Sequence, residues 1–98
     1  MKLVDLFQAV KDEHLTKDEL EDYHKQLSEL YAEMHLQLGE IKKKKAIFIL
    51  ESPEQTQTRT MKYWSGSQDG LREIELKSYI RATASHLKSL KSRLYNMY

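Results

Sequence analysis

An apolar residue repeats every seven positions through the first half of the chain. The repeat consists of Leu20, Leu27, Met34, Ile41 and Phe48. Side chains seven residues apart share one face of an α-helix, and a sustained repeat of seven is typical of the seam of a coiled coil or a long helical hairpin. The repeat therefore predicts one long helix over residues 16–50 that packs against a partner along its length.

A capping box marks the start of this helix. Thr16 offers a side-chain oxygen at the N-cap, and Glu19 follows three residues later. At this spacing the two residues satisfy each other's backbone N–H groups. Leu15 and Leu20 stand at the positions of a hydrophobic staple, so we place the start of the helix at residue 16.

A second apolar stripe occupies the last third of the chain, where spacings of four and three residues alternate. Its members are Leu76, Ile80, Thr83, Leu87, Leu90, Leu94 and Met97. This stripe predicts a second long helix over residues 69–97, capped by Asp69 or Ser67. Two long helices with matching stripes predict a mainly α fold, a long antiparallel helical hairpin forming a single domain over residues 1–98.

The two stripes also bear on self-association. A lone pair of helices buries too little apolar surface to offset the chain entropy comfortably. We therefore expect a homo-oligomer. The residues expected at the seam, between helices or between copies of the chain, are Leu20, Leu27, Met34, Ile41, Leu76, Ile80, Leu87, Leu90 and Leu94.

Two shorter segments complete the chain. Residues 1–14 predict a short N-terminal helix, because their apolar residues follow helical spacing. Residues 51–68 form the tip of the hairpin, where Ser52-Pro53 disfavours helix. Threonines at every second position then suggest an extended arm or a β-hairpin. The alternative is a ragged continuation of both helices, and we favour the extended tip.

Charge divides the chain into two unlike parts. Residues 1–41 carry four lysines and ten acidic residues, a balance of −6, and residues 42–98 carry twelve basic and five acidic residues, a balance of +7. Attraction between antiparallel helices of opposite sign explains part of this division. It does not explain four consecutive lysines.

The composition argues against several classes of function. The chain has no cysteine, which removes thiolate metal sites and cysteine nucleophiles. Glu21 and His24 have the spacing of a di-iron motif, but a second copy of that motif is missing. We expect no enzyme, no cofactor and no metal. Without an apolar run long enough for a bilayer or a signal peptide, we expect a cytoplasmic protein, in the host cell cytoplasm if it is viral.

A basic and aromatic cluster surrounds the tip. Adjacent lysines wrap a full helical turn, and their repulsion would be relieved by a polyanion. Aromatic rings nearby offer stacking surfaces for unpaired bases. The residues expected to bind nucleic acid are Lys42, Lys43, Lys44, Lys45, Arg59, Lys62, Tyr63, Trp64 and Arg72.

Other interpretations of this cluster remain open. Lysines near a helix C-terminus also interact favourably with the helix dipole, and Trp and Tyr often fill cores. A membrane surface is disfavoured, because an amphipathic helix combining Arg or Lys with Leu is missing. The alternative function is a phage structural, assembly or adaptor protein that uses helix–helix interactions only.

Several short motifs resemble phage recombination-mediator proteins of the UvsY kind. Ile41-Lys42-Lys43 is followed after about twenty residues by Tyr63-Trp64-Ser65-Gly66, which is similar to an Ile-Lys-Lys segment and a Tyr-Tyr-Ser-Gly turn in that family. The opening residues 1–6 and 15–18 are similar in pattern, as is Lys91-Ser92-Arg93 near the end. Lys44-Lys45 and Pro53 depart from the family's continuous helix.

This resemblance implies a function. Such proteins bind single-stranded DNA, assemble into rings, and load a RecA-like recombinase onto strands covered by single-strand-binding protein. By resemblance, Lys42 and Lys43 would contact DNA, and Tyr63 and Trp64 would lie at the tip. Trp64-Ser65-Gly66 also resembles the Trp-x-Gly of small secreted helical hairpins, but the tail motif of those proteins is missing.

Overall fold

The seven-residue repeat lies on one uninterrupted helix. The computed structural model of the chain describes residues 2–52 and 56–97. These residues form four helices, α1 (Leu3–Ala9), α2 (Lys17–Leu50), α3 (Gln57–Gly66) and α4 (Gln68–Tyr95), and no strand. The mainly helical fold with a long helix is thus confirmed.

The capping box at the start of α2 is confirmed as well. The Thr16 hydroxyl accepts a hydrogen bond from the Glu19 backbone N–H at 3.2 Å, and a Glu19 carboxylate oxygen accepts one from the Thr16 N–H at 3.2 Å. Leu15 and Leu20 are both buried in one apolar cluster. These contacts define where α2 begins, and the residues of the seven-residue repeat that follows are buried or half-buried.

α2 and α4 lie side by side in antiparallel directions. α2 has 34 residues, about 50 Å at 1.5 Å per residue, and the fold is 59 Å long. Two apolar clusters fill the space between the helices. One contains Leu6, Val10, Leu15, Leu20, Leu27 and Leu90, and the other contains Met34, Leu38, Ile41, Trp64 and Leu76.

α1 closes the first cluster. Leu6 is fully buried, and the Arg93 guanidinium of α4 donates hydrogen bonds to the carbonyl oxygens of Val10 and Asp12 at 2.9 and 2.6 Å. Because these carbonyls follow a helix of only seven residues, the bonds from Arg93 hold its end against α4. α1 is therefore an added third element at one end of the hairpin.

The prediction of an extended or β-hairpin tip over residues 51–68 is wrong for Gln57–Gly66, which form α3. The Thr56 hydroxyl caps this helix by accepting a hydrogen bond from the Arg59 N–H at 3.3 Å. Thr60 and Trp64, four residues apart, are its buried residues. Burial of this helical pair outweighs the strand preference of alternating threonines. The predicted break at Pro53 lies outside the described residues.

α3 meets α4 at a tight corner. The Ser67 hydroxyl donates a hydrogen bond to the Trp64 carbonyl oxygen at 2.5 Å and accepts one from the Gly70 N–H at 3.0 Å. A Cβ atom added at Gly70 would overlap that same carbonyl oxygen. Only glycine allows the two backbones to approach this closely. The corner therefore sets the angle between α3 and α4.

Candidate nucleic-acid interface

Three lysines of the consecutive run are exposed. Lys42, Lys43 and Lys44 lie near the end of α2, and within the part of the chain that the structure describes none of them forms an ion pair. Successive helical residues are turned by about 100°, so the three ammonium groups spread around the outer side of α2. They leave a concentrated positive charge on this side of α2.

The fourth lysine behaves differently. Lys45 is half-buried, and its Nζ lies 3.3 Å from Oε1 of Glu73 on α4. Glu73 is only 5% exposed, and the same oxygen lies 3.9 Å from Nζ of Lys77. Because a buried carboxylate requires a compensating charge, Glu73 holds Lys45 at the interface between the helices.

α3 carries a second basic group to this end of the fold. Arg59, Lys62 and Tyr63 are exposed on α3. The Arg59 guanidinium lies over the Tyr63 ring, 5.8 Å from its centroid, and donates a hydrogen bond to the Tyr63 hydroxyl at 3.4 Å. This contact holds one aromatic ring at the surface beside a cation.

Trp64 does not occupy the position expected for it. Its side chain lies in the second apolar cluster with 4% exposure, and its ring centroid is 5.6 Å from that of Phe48. The expectation that Trp64 stacks on bases is wrong for this arrangement, because a base cannot reach a buried ring. Trp64 instead packs α3 onto α2, and this contact brings the exposed residues of α3 close to the lysine run.

Arg72 is partly engaged elsewhere. Its guanidinium lies 2.7 Å from a carboxylate oxygen of Glu75 and donates a hydrogen bond to Oε1 of Gln37 at 3.2 Å. It also borders a groove of about 320 Å³ between α1, α2 and α4. Because its charge is shared with Glu75, Arg72 contributes less to the positive surface than the three exposed lysines.

The structure therefore places two basic groups at one end of the hairpin. The contact between Trp64 and Phe48 joins α3 to α2 three residues beyond Lys45. Separate cations of this kind can hold successive phosphates, and one exposed ring can stack on a base. The nine expected seam residues face inward in this same chain, fully buried or half-buried.

Two residues that matter here were not among the sequence-predicted site residues. Glu73 holds Lys45, and Gly70 permits the corner between α3 and α4. The spacing of both ion-pair residues in the sequence indicates their position. Lys45 lies seven residues after Leu38, and Glu73 lies seven residues before Ile80, so each shares a helix face with an apolar residue of the seam. Both therefore occupy inward positions. No comparable pattern distinguishes Gly70, whose requirement depends on the approach of another helix.

A histidine with a lowered pKa, His86, lies far from this surface, near the first apolar cluster. The His86 ring stacks on Phe7 with centroids 4.6 Å apart. Burial first, and the positive charge of Lys11 second, lower the pKa of His86 below its usual 6.5. Among the described residues, no three His, Asp or Glu side chains are grouped so as to hold a metal ion, and no helix has the length and apolarity to cross a bilayer.

Comparison with protein-family models, with curated proteins and with solved structures gives no match. The geometry of the site is therefore the basis for a functional assignment.

Proposed function

We propose that this protein is a single-stranded DNA-binding accessory protein of the recombination-mediator kind. One observation carries the proposal: Lys42, Lys43 and Lys44 are exposed without an acidic partner among the described residues. Three adjacent ammonium groups repel one another, and binding a phosphate backbone relieves this repulsion while releasing counterions. A polyanion is the partner that this arrangement fits.

The second basic group and its exposed ring favour single-stranded over double-stranded DNA as the partner. Arg59 and Lys62 add cations on α3, and Tyr63 presents a ring that is 52% exposed. Unpaired bases expose their faces for stacking, whereas paired bases do not. In this proposal Tyr63 stacks on a base, and the buried Trp64 keeps α3 in position.

The resemblance to the UvsY kind of protein supports the same proposal. The Ile41-Lys42-Lys43 segment ends in exposed cations, and the Tyr63-Trp64-Ser65-Gly66 segment forms the end of α3 next to them. By analogy, the DNA complex would assist a RecA-like recombinase or interact with single-strand-binding protein. These partners belong to the proposal.

Exposed apolar side chains support self-association. Ile47 and Leu50 of α2 are 54% and 77% exposed, and Leu71 and Ile74 of α4 are also exposed. Apolar residues grouped at one end of a protein often mark contacts with another chain. They equally support the second candidate function, an assembly or adaptor protein that forms helix–helix contacts only.

Charge reversal tests the proposal and separates it from the second candidate. Binding of a fluorescent twenty-residue oligothymidine would be measured by anisotropy at two salt concentrations, for the wild type, Lys43→Glu and Lys25→Glu. Both lysines are exposed on α2, so the two variants carry the same change in net charge. We expect Lys43→Glu to weaken binding on the order of tenfold and to reduce the salt dependence.

The control should retain most of the wild-type affinity, because Lys25 lies in the acidic half of the chain. Equal affinities for the two variants would exclude the lysine run as the site. If the wild type binds no oligonucleotide even at low salt, the DNA-binding proposal is wrong and the adaptor function is favoured.

A further inference from the structure

One side of α4 carries cations along most of its length. Lys77, Arg81 and Lys88 are separated by four and seven residues, so they share one side of the helix, and Lys91 lies one turn further. All four are exposed. No acidic residue follows Glu75 in the chain. We name these four residues the α4 stripe.

The α4 stripe begins next to the lysine run. Glu73 lies 3.3 Å from Nζ of Lys45 and 3.9 Å from Nζ of Lys77 through the same oxygen. The last lysine of the run and the first of the stripe therefore flank one buried carboxylate. Glu73 neutralises part of the charge at this junction, and the other exposed cations of the run and of the stripe lie on the two adjoining helices.

Aromatic side chains border this surface. Tyr31 and His35 of α2 stand in one helical register with Lys42 and Lys45, at spacings of four, seven and three residues. The two rings form an edge-to-face pair with centroids 4.5 Å apart. At the far end Tyr95, seven residues after Lys88, is 81% exposed. Rings are thus available beside the cations along the stripe, as base stacking requires.

The chemistry of the stripe favours nucleic acid over a protein partner. The exposed residues interspersed with its cations include Ser78, Ser85 and Ser89, and no large apolar residue is exposed between Lys77 and Lys91. A protein interface normally has an apolar centre, whereas phosphates are held by Lys, Arg and Ser. The stripe spans about 21 Å at 1.5 Å per residue. This length accommodates several successive phosphates of one extended strand.

We propose that the α4 stripe extends the DNA site, so that one strand runs from the tip of the hairpin along α4. This inference rests on the proposed function and deepens it by giving the site a direction and a length. A short strand occupies the lysine run and α3 only. A longer strand also binds the stripe and gains affinity from it.

The test combines variants at the far end of the stripe with strands of two lengths. Affinities for oligothymidines of five and twenty residues would be measured for the wild type, for Lys88→Glu with Lys91→Glu, and for the control Lys11→Glu with Lys25→Glu. All four positions are exposed. We expect the stripe variant to lose on the order of tenfold affinity for the long strand, and its salt slope to fall by about 1.4 for two lost phosphate contacts. Its affinity for the short strand should match that of the control.

A neutral double variant, Lys88→Gln with Lys91→Gln, controls for a folding defect. Its circular dichroism in the helical region should equal that of the wild type. The outcomes separate this inference from the proposed function. If Lys43→Glu weakens the long strand but the stripe variant behaves like its control, the extension along α4 is wrong while DNA binding at the tip stands. If the wild type binds neither strand, both fail.

One further outcome would also overturn the inference. The acidic side of α2 in a second copy is the competing occupant, since Asp22, Glu29, Glu33 and Glu40 are exposed there. A stripe variant with unchanged DNA affinity and a smaller mass in analytical ultracentrifugation would assign the stripe to contacts between subunits.

Discussion

Lys45 and Glu73 form an ion pair between the two long helices, with 3.3 Å between Nζ and Oε1. The other carboxylate oxygen of Glu73 is buried and has no hydrogen-bond partner among the described residues. The pair is therefore incompletely satisfied, and the cost of burying Glu73 is only partly offset. It also keeps one of four consecutive lysines away from the proposed DNA site.

Removing the Glu73 charge should strengthen DNA binding. In Glu73→Gln, Lys45 loses its anionic partner and becomes free to turn outward to a phosphate. We expect affinity for a twenty-residue oligothymidine to rise about three- to tenfold at low salt, and the salt slope to steepen by about 0.7 for one added phosphate contact. Fluorescence anisotropy at several salt concentrations measures both quantities.

Glu40→Gln is the matched control, because Glu40 is exposed on α2 close to the same lysines and the net charge changes equally. A general increase in positive charge would affect both variants alike. Equal gains in affinity for the two variants would show that the ion pair does not restrain Lys45.

Gly70→Ala should destabilise the fold strongly. The added methyl group would overlap the Trp64 carbonyl oxygen, and this atom belongs to the backbone and cannot rotate away. We expect a loss of about 2–3 kcal/mol in the free energy of unfolding, measured by urea denaturation.

Gly39→Ala provides the opposite case. A Cβ at Gly39 meets nothing within 4 Å, and alanine favours the helix, so this variant should gain about 0.5–1 kcal/mol. If Gly70→Ala is as stable as the wild type, the corner between α3 and α4 does not have the geometry described above.

Much of the fold could be predicted from the sequence because its determinants are local and periodic. The repeat from Leu20 to Phe48 requires a continuous helix whatever its partner, and the capping box at Thr16 specifies where the helix starts. α3 could not be predicted in the same way. Its stability depends on Trp64 packing against Phe48, a contact between two helices that no local pattern expresses.

The candidate site was predictable to a similar extent. A run of four lysines exceeds what the inward face of a helix can hold, so exposed cations follow from the sequence alone. Which of them is held inside depends on the partner helix. Lys45 is held by its ion pair with Glu73. Trp64 is buried because α3 is a helix, which places Trp64 on the same inward face as Thr60.

Tyr63 and Trp64, adjacent in sequence, should respond oppositely to substitution. Tyr63→Ala removes an exposed ring, so DNA affinity should fall by about 1–3 kcal/mol while the free energy of unfolding changes little. Trp64→Ala opens a cavity in the second apolar cluster and should cost roughly 3–5 kcal/mol of stability.

Trp64→Phe separates packing from stacking. It retains most of the apolar volume and removes a buried N–H that has no partner among the described residues. We expect DNA affinity to stay at the wild-type level in this variant, measured by anisotropy beside a urea titration. A loss of affinity in Trp64→Phe as large as that in Tyr63→Ala would show that Trp64 itself contacts DNA.

Protonation of His86 should make stability depend on pH. Burial and Lys11 lower its pKa in the folded protein below 6.5, so the unfolded chain takes up the proton first as the pH falls. The contribution of His86 to the free energy of unfolding is therefore full above pH 6.5 and is lost as the pH falls from there through the folded-state pKa.

His86→Phe keeps a ring against Phe7 but cannot titrate, and His14→Phe serves as the control at an exposed histidine. We expect the melting temperature to fall less between pH 7.5 and pH 5 in His86→Phe than in the wild type or the control. The same pH dependence in all three proteins would mean that His86 protonates as readily in the fold as in the unfolded chain.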